Sequence, residues 1–177
     1  LSTAIGQPVT IENKPGGNTA IAASDVARSA PDGYTVLSAD NGTMVFNSAL
    51  YSKLTYNPEK DLTPVTLMGR FPMILVVGPN ADAKDAKDFI AKAKAAPGKI
   101  SYGSAGAGSP HHLAMEMLKT QANLHMVHIP YRGAAPALND LMGGQIPLFF
   151  DAATGLIQPG KAGRVRLIGV AGEISEL

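Results

Sequence analysis

The 177 residues include 15 lysines and arginines against 14 aspartates and glutamates, a balance that excludes a single-sign field aimed at nucleic acid or an anionic membrane. With no cysteine, thiol nucleophiles, disulfides and thiolate metal sites are excluded, while the redox compartment stays open. An apolar fraction of 45% suits one ordinary domain or two small ones, and no apolar run approaches the roughly 18 residues needed to span a bilayer.

The opening "LSTAIG" reads as the last turn of a helix stopped by Gly6 and lacks the basic and apolar regions of a signal peptide. The closing "RVRLIGVAGEISEL" stops where another element should begin, so the chain is expected to be a fragment. "PVTIEN" (8 to 13) is strand-like, and "KPGGN" is a turn leading into a small-residue helix over about 19 to 29. "YTVLSA" (34 to 39) reads as a second strand, followed by "DNGT" and a short helix "MVFNSALY". After the proline-punctuated "YNPEKDLTP", "VTLMG" reads as a third strand.

"PMILVVGP" (72 to 79) is a continuous apolar run, suited to a strand buried on both faces and bounded by its prolines. In the next segment Asp85 caps a helix with Asp88 three residues on, Ala86, Phe89, Ile90 and Ala93 form its buried stripe, and Pro97 and Gly98 stop it. Its lysines at 84, 87, 92 and 94 form a solvated face. "KISYGS", "SPHHLAMEMLKTQAN", "HMVHIPY", "APALNDLMGG", "IPLFFD", "GLIQPGKAG" and "VRLIGVAG" continue as strand, helix, strand, helix, strand, short helix or loop, and strand. This β/α rhythm predicts parallel sheets covered by helices on both faces, with a lobe boundary near residues 72 to 82.

In open α/β sheets ligands sit beyond the carboxyl ends of strands, which singles out "ISYGSAGAGSPHHLAMEM" (100 to 117). The strand ends near Gly103, Ser109 is the N-cap, Pro110 takes the first helical position, and the first free helix donors belong to His111 and His112. Such a helix start binds an anion without a basic side chain. The loop has no Gly-Lys-Ser/Thr ending, and Gly103, Gly106 and Gly108 reverse the dinucleotide spacing. Tyr102 stands where a nucleophile elbow needs glycine. Metal binding is disfavoured, because His111 and His112 diverge on a helix and His125 and His128 point to opposite faces of a strand.

Three further positions lie at strand ends. Asn41 and Thr43 in "ADNGTMVF" either touch ligand or serve only the Asn-Gly turn. Tyr131, Arg132 and Gly133 close one strand and open a helix, with Arg132 either pairing a carboxylate or lying on the surface. Asp151, ending "PLFFD", either bonds a ligand or bridges lobes through backbone N–H groups. Met115 and Met117 read as core filler.

"IENKPGGNTAIAASDVARSAPDGYTVL", "NSALYSKLTYNPEKDLTPVTL", "KISYGSAGAGSPHHLAMEM" and "VHIPYRGAAPALNDLMGGQIPLFFD" closely resemble the Bug-type solute receptors of tripartite tricarboxylate transporters, in order and over nearly the whole chain. The resemblance implies a two-lobed α/β fold of the type II periplasmic-binding-protein kind. Residues 1–76 would be part of the first lobe, and residues 77–177 the second lobe with the start of the return crossover. The first strand and the C-terminal segments of the family pattern would be absent, so that this piece alone binds weakly or not at all. It further implies a non-enzymatic extracytoplasmic receptor for a small carboxylate, without cofactor, monomeric and periplasmic. The full-length precursor would carry a signal peptide, and membrane transporter subunits would be the partners.

By the same resemblance the ligand loop falls on Ser104, Ala105, Gly106, Gly108 and Ser109 with His112 behind it. The first-lobe contacts fall on Asn41 and Thr43, and Tyr131 and Asp151 line or brace the cleft. The competing readings are a carboxyl-ester hydrolase using Ser104 or Ser109 with His112, and a sensory receptor of the same fold.

Overall fold

The computed structural model describes residues 1–172; residues 173–177, the end of the closing segment, lie outside the described residues. A short helix α1 (Ser2–Ile5) ends at Gly6, whose φ of 68° is the left-handed stop anticipated from the sequence. α2 (Ala20–Ala27) follows a 3-10 turn over Gly17–Thr19. One π-helical turn (Gly42–Phe46) leads directly into α3 (Asn47–Leu50).

The rest is an alternation of strands and helices: β1 (Met73–Val77), α4 (Ala86–Ala95), β2 (Ser101–Ser104), α5 (Pro110–Ala122), β3 (Val127–Pro130), α6 (Ala134–Met142), β4 (Leu148–Ala152), α7 (Ala153–Lys161) and β5 (Arg166–Ala171). They form one sheet in the order β3-β2-β4-β1-β5. β1 is buried on both faces, as a continuous apolar run requires. Leu75 and Val77 pack with Phe89 and Ala93 of α4 and Met115 of α5. Ile74 and Val76 face the other way, toward Ala137 and Leu141 of α6 and Leu156 of α7. Two helices therefore cover each face. Met117, expected as core filler beside Met115, is instead 62% exposed.

The expected all-parallel sheet is corrected. β2 is parallel to β3 and to β4, but β1 is antiparallel to both β4 and β5. The reason lies at one edge of the sheet. Met73 at the start of β1 pairs with Ala152 at the end of β4 and with Ala171 at the end of β5. The chain thus enters the sheet at the edge where β2, β3 and β4 finish, which is where residues 42–51 also pack. A strand entering there must run against β4. Because β1 pairs along its whole length with β4 and β5, a division at residue 76 cuts through a strand of this sheet.

The second correction concerns residues 8–13, 34–39 and 65–69, which read as strands and form none among the described residues. Val9, Ile11, Tyr34, Val36, Val65, Leu67 and Met68 are exposed. Their alternation fits a sheet, but they pair with no described segment, and an extended chain without a ladder is not a strand. What the N-terminal region does bury is largely polar. Asn47 donates through Nδ2 to the Asn18 carbonyl (2.8 Å) and the Tyr56 hydroxyl (3.1 Å), and its Oδ1 accepts from Asn18 Nδ2 (2.7 Å).

Candidate functional site

The loop between β2 and α5 lies at the sheet edge just described. Ser109 caps α5 as expected: its Oγ accepts from the His112 N–H (3.3 Å) and donates to the Gly106 carbonyl (2.7 Å). Gly106 (φ 136°) and Gly108 (φ 81°) adopt backbone conformations that L side chains avoid. Gly108 is also sterically confined, since a Cβ there would lie 2.7 Å from Leu50 Cδ1 and 3.2 Å from Asn18 Nδ2. A Cβ on Gly42 would lie 3.2 Å from Pro110 Cδ. The Tyr51 hydroxyl donates to the Ala107 carbonyl (3.0 Å). The two halves of the chain thus touch directly across this loop.

Tracing each loop N–H to its acceptor separates used from unused donors. Gly106 N–H goes to Ser104 Oγ (3.1 Å), Gly108 N–H to His112 Nδ1 (3.1 Å) and Ser109 N–H to the Gly106 carbonyl (3.2 Å). The N–H groups of Ala105, Ala107 and His111 have no partner among the described residues. The polar groups of Ser104, Gly108, Ser109 and His112 are therefore engaged in shaping the loop, and the free donors sit between them. Ala107 was not singled out by the sequence, because which loop N–H stays free is set by acceptors such as Ser104 Oγ and His112 Nδ1 that take its neighbours' donors.

Behind the loop stands an aromatic column the sequence did not disclose. The imidazoles of His112 and His128 stack at 4.0 Å between centroids and 15° between planes, and Tyr102 stacks on His128 at 5.0 Å. Tyr102 and His128 are register partners on adjacent parallel strands, so the pairing depends on a register that no local pattern reveals. Ser104 Oγ lies 2.6 Å from His128 Nε2. The Tyr102 hydroxyl donates to Glu116, which also accepts from Lys119 Nζ (2.6 Å). Burial pushes His128 down to about 4, helped by the neighbouring His112, and burial likewise lowers His112. Tyr102 is raised by burial and by the Glu116 carboxylate. Burial pushes Glu116 up, but hydrogen bonds from Lys119 and Tyr102 outweigh it and leave the carboxyl below its usual range.

The remaining predicted positions are divided. Asp151 is buried at the end of β4, where its Oδ1 accepts from Ala152 N–H (2.8 Å) and lies 3.3 Å from His111 Nε2. It braces the start of α5 against the sheet. Tyr131 donates its hydroxyl to Asp140 of α6 (2.7 Å), and burial with that carboxylate raises it to about 12. Thr43 is buried, with N–H and Oγ1 both bonded to Asp40 Oδ1 (2.9 and 3.0 Å) and Oγ1 also meeting Thr19. Asn41, beside it, is exposed.

Ser104 has no solvent-exposed surface and meets His128 rather than His112, and Ser109 meets the backbone N–H of His112 rather than its ring, so the expected pairing of either serine with the His112 imidazole is not assembled. Among the described residues no group of three or more His, Asp or Glu side chains is arranged to hold a metal. A depression of about 750 Å³ beside α3, lined by Met44, Thr55, Asn57 and Asp61 among others, reaches the loop only through Tyr51. Unused donors, not volume, mark the β2–α5 edge as the candidate site.

A family model described as tripartite tricarboxylate transporter family receptor matches residues 1–176. The chain belongs to this receptor family. Among solved structures, the periplasmic binding protein BugD is 32% identical with a TM-score of 0.91, over 97% of this chain and 57% of that one. A Rhodopseudomonas palustris protein solved with adipate is 34% identical with a TM-score of 0.92, over 96% and 56%. MatC from the same organism, with bound malate, is 30% identical with a TM-score of 0.89, over 97% and 58%. The chain spans about half the length of the curated relatives it matches, and its α/β fold is that of these periplasmic receptors.

Proposed function

We propose that this chain is the ligand-gripping part of an extracytoplasmic solute receptor, a protein that binds a small carboxylate without transforming it and delivers it to a membrane transporter. The observation that carries the reading is the trio of unpartnered N–H groups at Ala105, Ala107 and His111. They sit on a loop with no basic side chain, at the start of a 13-residue helix. Backbone donors and a helix N-terminus favour a carboxylate over a cation or a neutral sugar. Two family relatives solved with adipate and malate point to the same ligand class.

In this reading Ser104, Gly106, Gly108, Ser109 and His112 shape the loop, while Ala105 offers a donor directly. Asn41 and Thr43 face it from the N-terminal region, Tyr131 lines the cleft and Asp151 braces the helix. The protein is monomeric, works in the periplasm and needs no cofactor. Residues before β1 belong to one lobe and those after it to the other, so that closing the clamp brings residues 41–51 onto the loop.

The test is a thermal-shift panel of mono-, di- and tricarboxylates. A ligand present at about 100 times its dissociation constant adds about 2.7 kcal/mol to the stability of the form that binds it. A shift with at least one di- or tricarboxylate and none with matched neutral amides is expected. Silence across the whole panel, on protein extended to the length of its relatives, would overturn the reading.

A further inference from the structure

His112 sits one turn inside α5, where a histidine is ordinarily read as a cation for an anionic ligand. The hydrogen bonds say otherwise. Gly108 N–H donates to His112 Nδ1 at 3.1 Å, so that nitrogen is an acceptor and carries no proton. The ring's one hydrogen is then on Nε2, on the side of Glu116 Oε1 at 3.7 Å. We propose that His112 is a neutral positioning residue, packed against His128, whose Nδ1 draws in the Gly108 N–H and so sets the loop with its other donors facing outward.

Burial favours the neutral ring of His112, and two imidazoles at 4.0 Å and nearly parallel cannot both be charged without strong repulsion. His128 is in turn tied to Ser104, whose Oγ accepts from the Gly106 N–H. The pair therefore fixes both glycines that need unusual backbone angles. The other groups facing His112 are Tyr102 of β2, stacked at 6.4 Å, and Glu116 and Lys119 of its own helix. Glu116 favours the imidazolium, but its charge is shared with Lys119, and burial outweighs it.

Protonating His112 replaces an acceptor by a donor opposite the Gly108 N–H, and the loop must let go. The direction follows from linkage: a histidine whose folded-state pKa lies below its unfolded value of about 6.5 stabilises the fold above that pH. That contribution is lost as pH falls toward the lowered folded values. Ligand affinity consequently falls on acidification, the opposite of what a cationic histidine would give.

The ligand half of this inference rests on the carboxylate reading, whereas the loop half does not, and two measurements, on protein extended to the length of its relatives, keep them apart. The first is nitrogen NMR of the histidine rings together with amide exchange at Gly108. At neutral pH His112 Nδ1 is expected to be unprotonated, and the protection of Gly108, its exchange relative to the intrinsic rate at the same pH, to fall roughly tenfold as His112 charges or when it is replaced in His112→Leu. His112→Asn restores an acceptor in place of Nδ1 without a titrating group, so Gly108 protection returns and no longer depends on pH. A proton on Nδ1 at neutral pH, or Gly108 exchange indifferent to His112, would overturn the proposal.

The second measurement is the ratio of adipate and malate affinities at about pH 7.5 and about pH 5, compared between the natural chain and His112→Asn. The comparison cancels the ligands' own protonation. A ratio that moves toward one in the variant supports the positioning role; an unchanged ratio, or an affinity that rises with acid only in the natural chain, refutes it. If neither acid binds at any pH to protein extended to the length of its relatives, the ligand half of this inference fails, and the ring and amide data still decide the loop.

Discussion

Residues 1–72 and 73–172 have similar apolar patterning and opposite fates. In the C-terminal region the central strands β1, β2 and β4 found a ladder and a helical cover, so that Val76, Tyr102, Leu148 and Phe149 expose 0% of their surface. In the N-terminal region equivalent stretches leave Val36 66%, Val65 85% and Ile11 82% exposed, and the buried side chains are Asn47, Thr43, Ser24, Tyr56 and the small Ala23. Alternation of apolar residues states which faces need covering; it does not supply the cover.

The largest consequence is in backbone protection. Amide exchange is expected to be slower by several orders of magnitude in β1, β2 and β4 than across residues 7–13 and 31–39, since laddered buried amides open only on global unfolding while unladdered exposed ones do not wait for it. Equal protection in both regions would erase the contrast. Core truncation sharpens it energetically. Phe149 is fully buried and stacks on His111 at 5.4 Å, so Phe149→Ala should cost about 3–5 kcal/mol in denaturant unfolding. Val65→Ala should stay within about 0.5 kcal/mol.

What was legible in the sequence follows the same divide. The cap at Asp85, whose Oδ1 accepts from Asp88 N–H at 2.8 Å, the cap at Ser109 and the two-faced strand at 73–77 are local statements, and neighbours within four residues decide them. The direction of β1 is not local, because an apolar run reads the same whichever way its partners run. The His112–His128 stack joins a helix to a strand through the register of Tyr102 with His128, and the Tyr51 contact with Ala107 spans 56 positions. The glycine loop was legible as a turn at a strand end. Which of its N–H groups stay free depends on side chains that arrive from elsewhere.

The loop itself joins the two regions, and its glycine measures how tightly. Gly108→Ala introduces two separable costs: a positive φ for an L residue, roughly 1–2 kcal/mol, and a clash with Leu50 Cδ1. Combining it with Leu50→Ala removes the clash and keeps the backbone cost. The double variant should therefore recover part of the loss in unfolding free energy, with non-additivity of about 0.5 kcal/mol or more. Strict additivity would mean that Leu50 and Gly108 do not meet in solution.

The smallest effect tests the same joint from the other side. Tyr51→Phe keeps the ring and removes the one hydroxyl that reaches from α3's end to the Ala107 carbonyl. Tyr51 is 39% exposed, so water replaces the lost partner and the cost should be at the low end of a hydrogen bond, about 0.5 kcal/mol. Global stability is for that reason the weaker readout. The sharper one is the Ala107–Gly108 peptide group, which Tyr51 holds from the carbonyl side and His112 Nδ1 from the N–H side. Freed at the carbonyl, that unit should exchange its amide about twofold faster while β2 and β4 stay unchanged. If the change spreads into the sheet instead, the N-terminal region supports the C-terminal core and the two are less independent than their burial suggests.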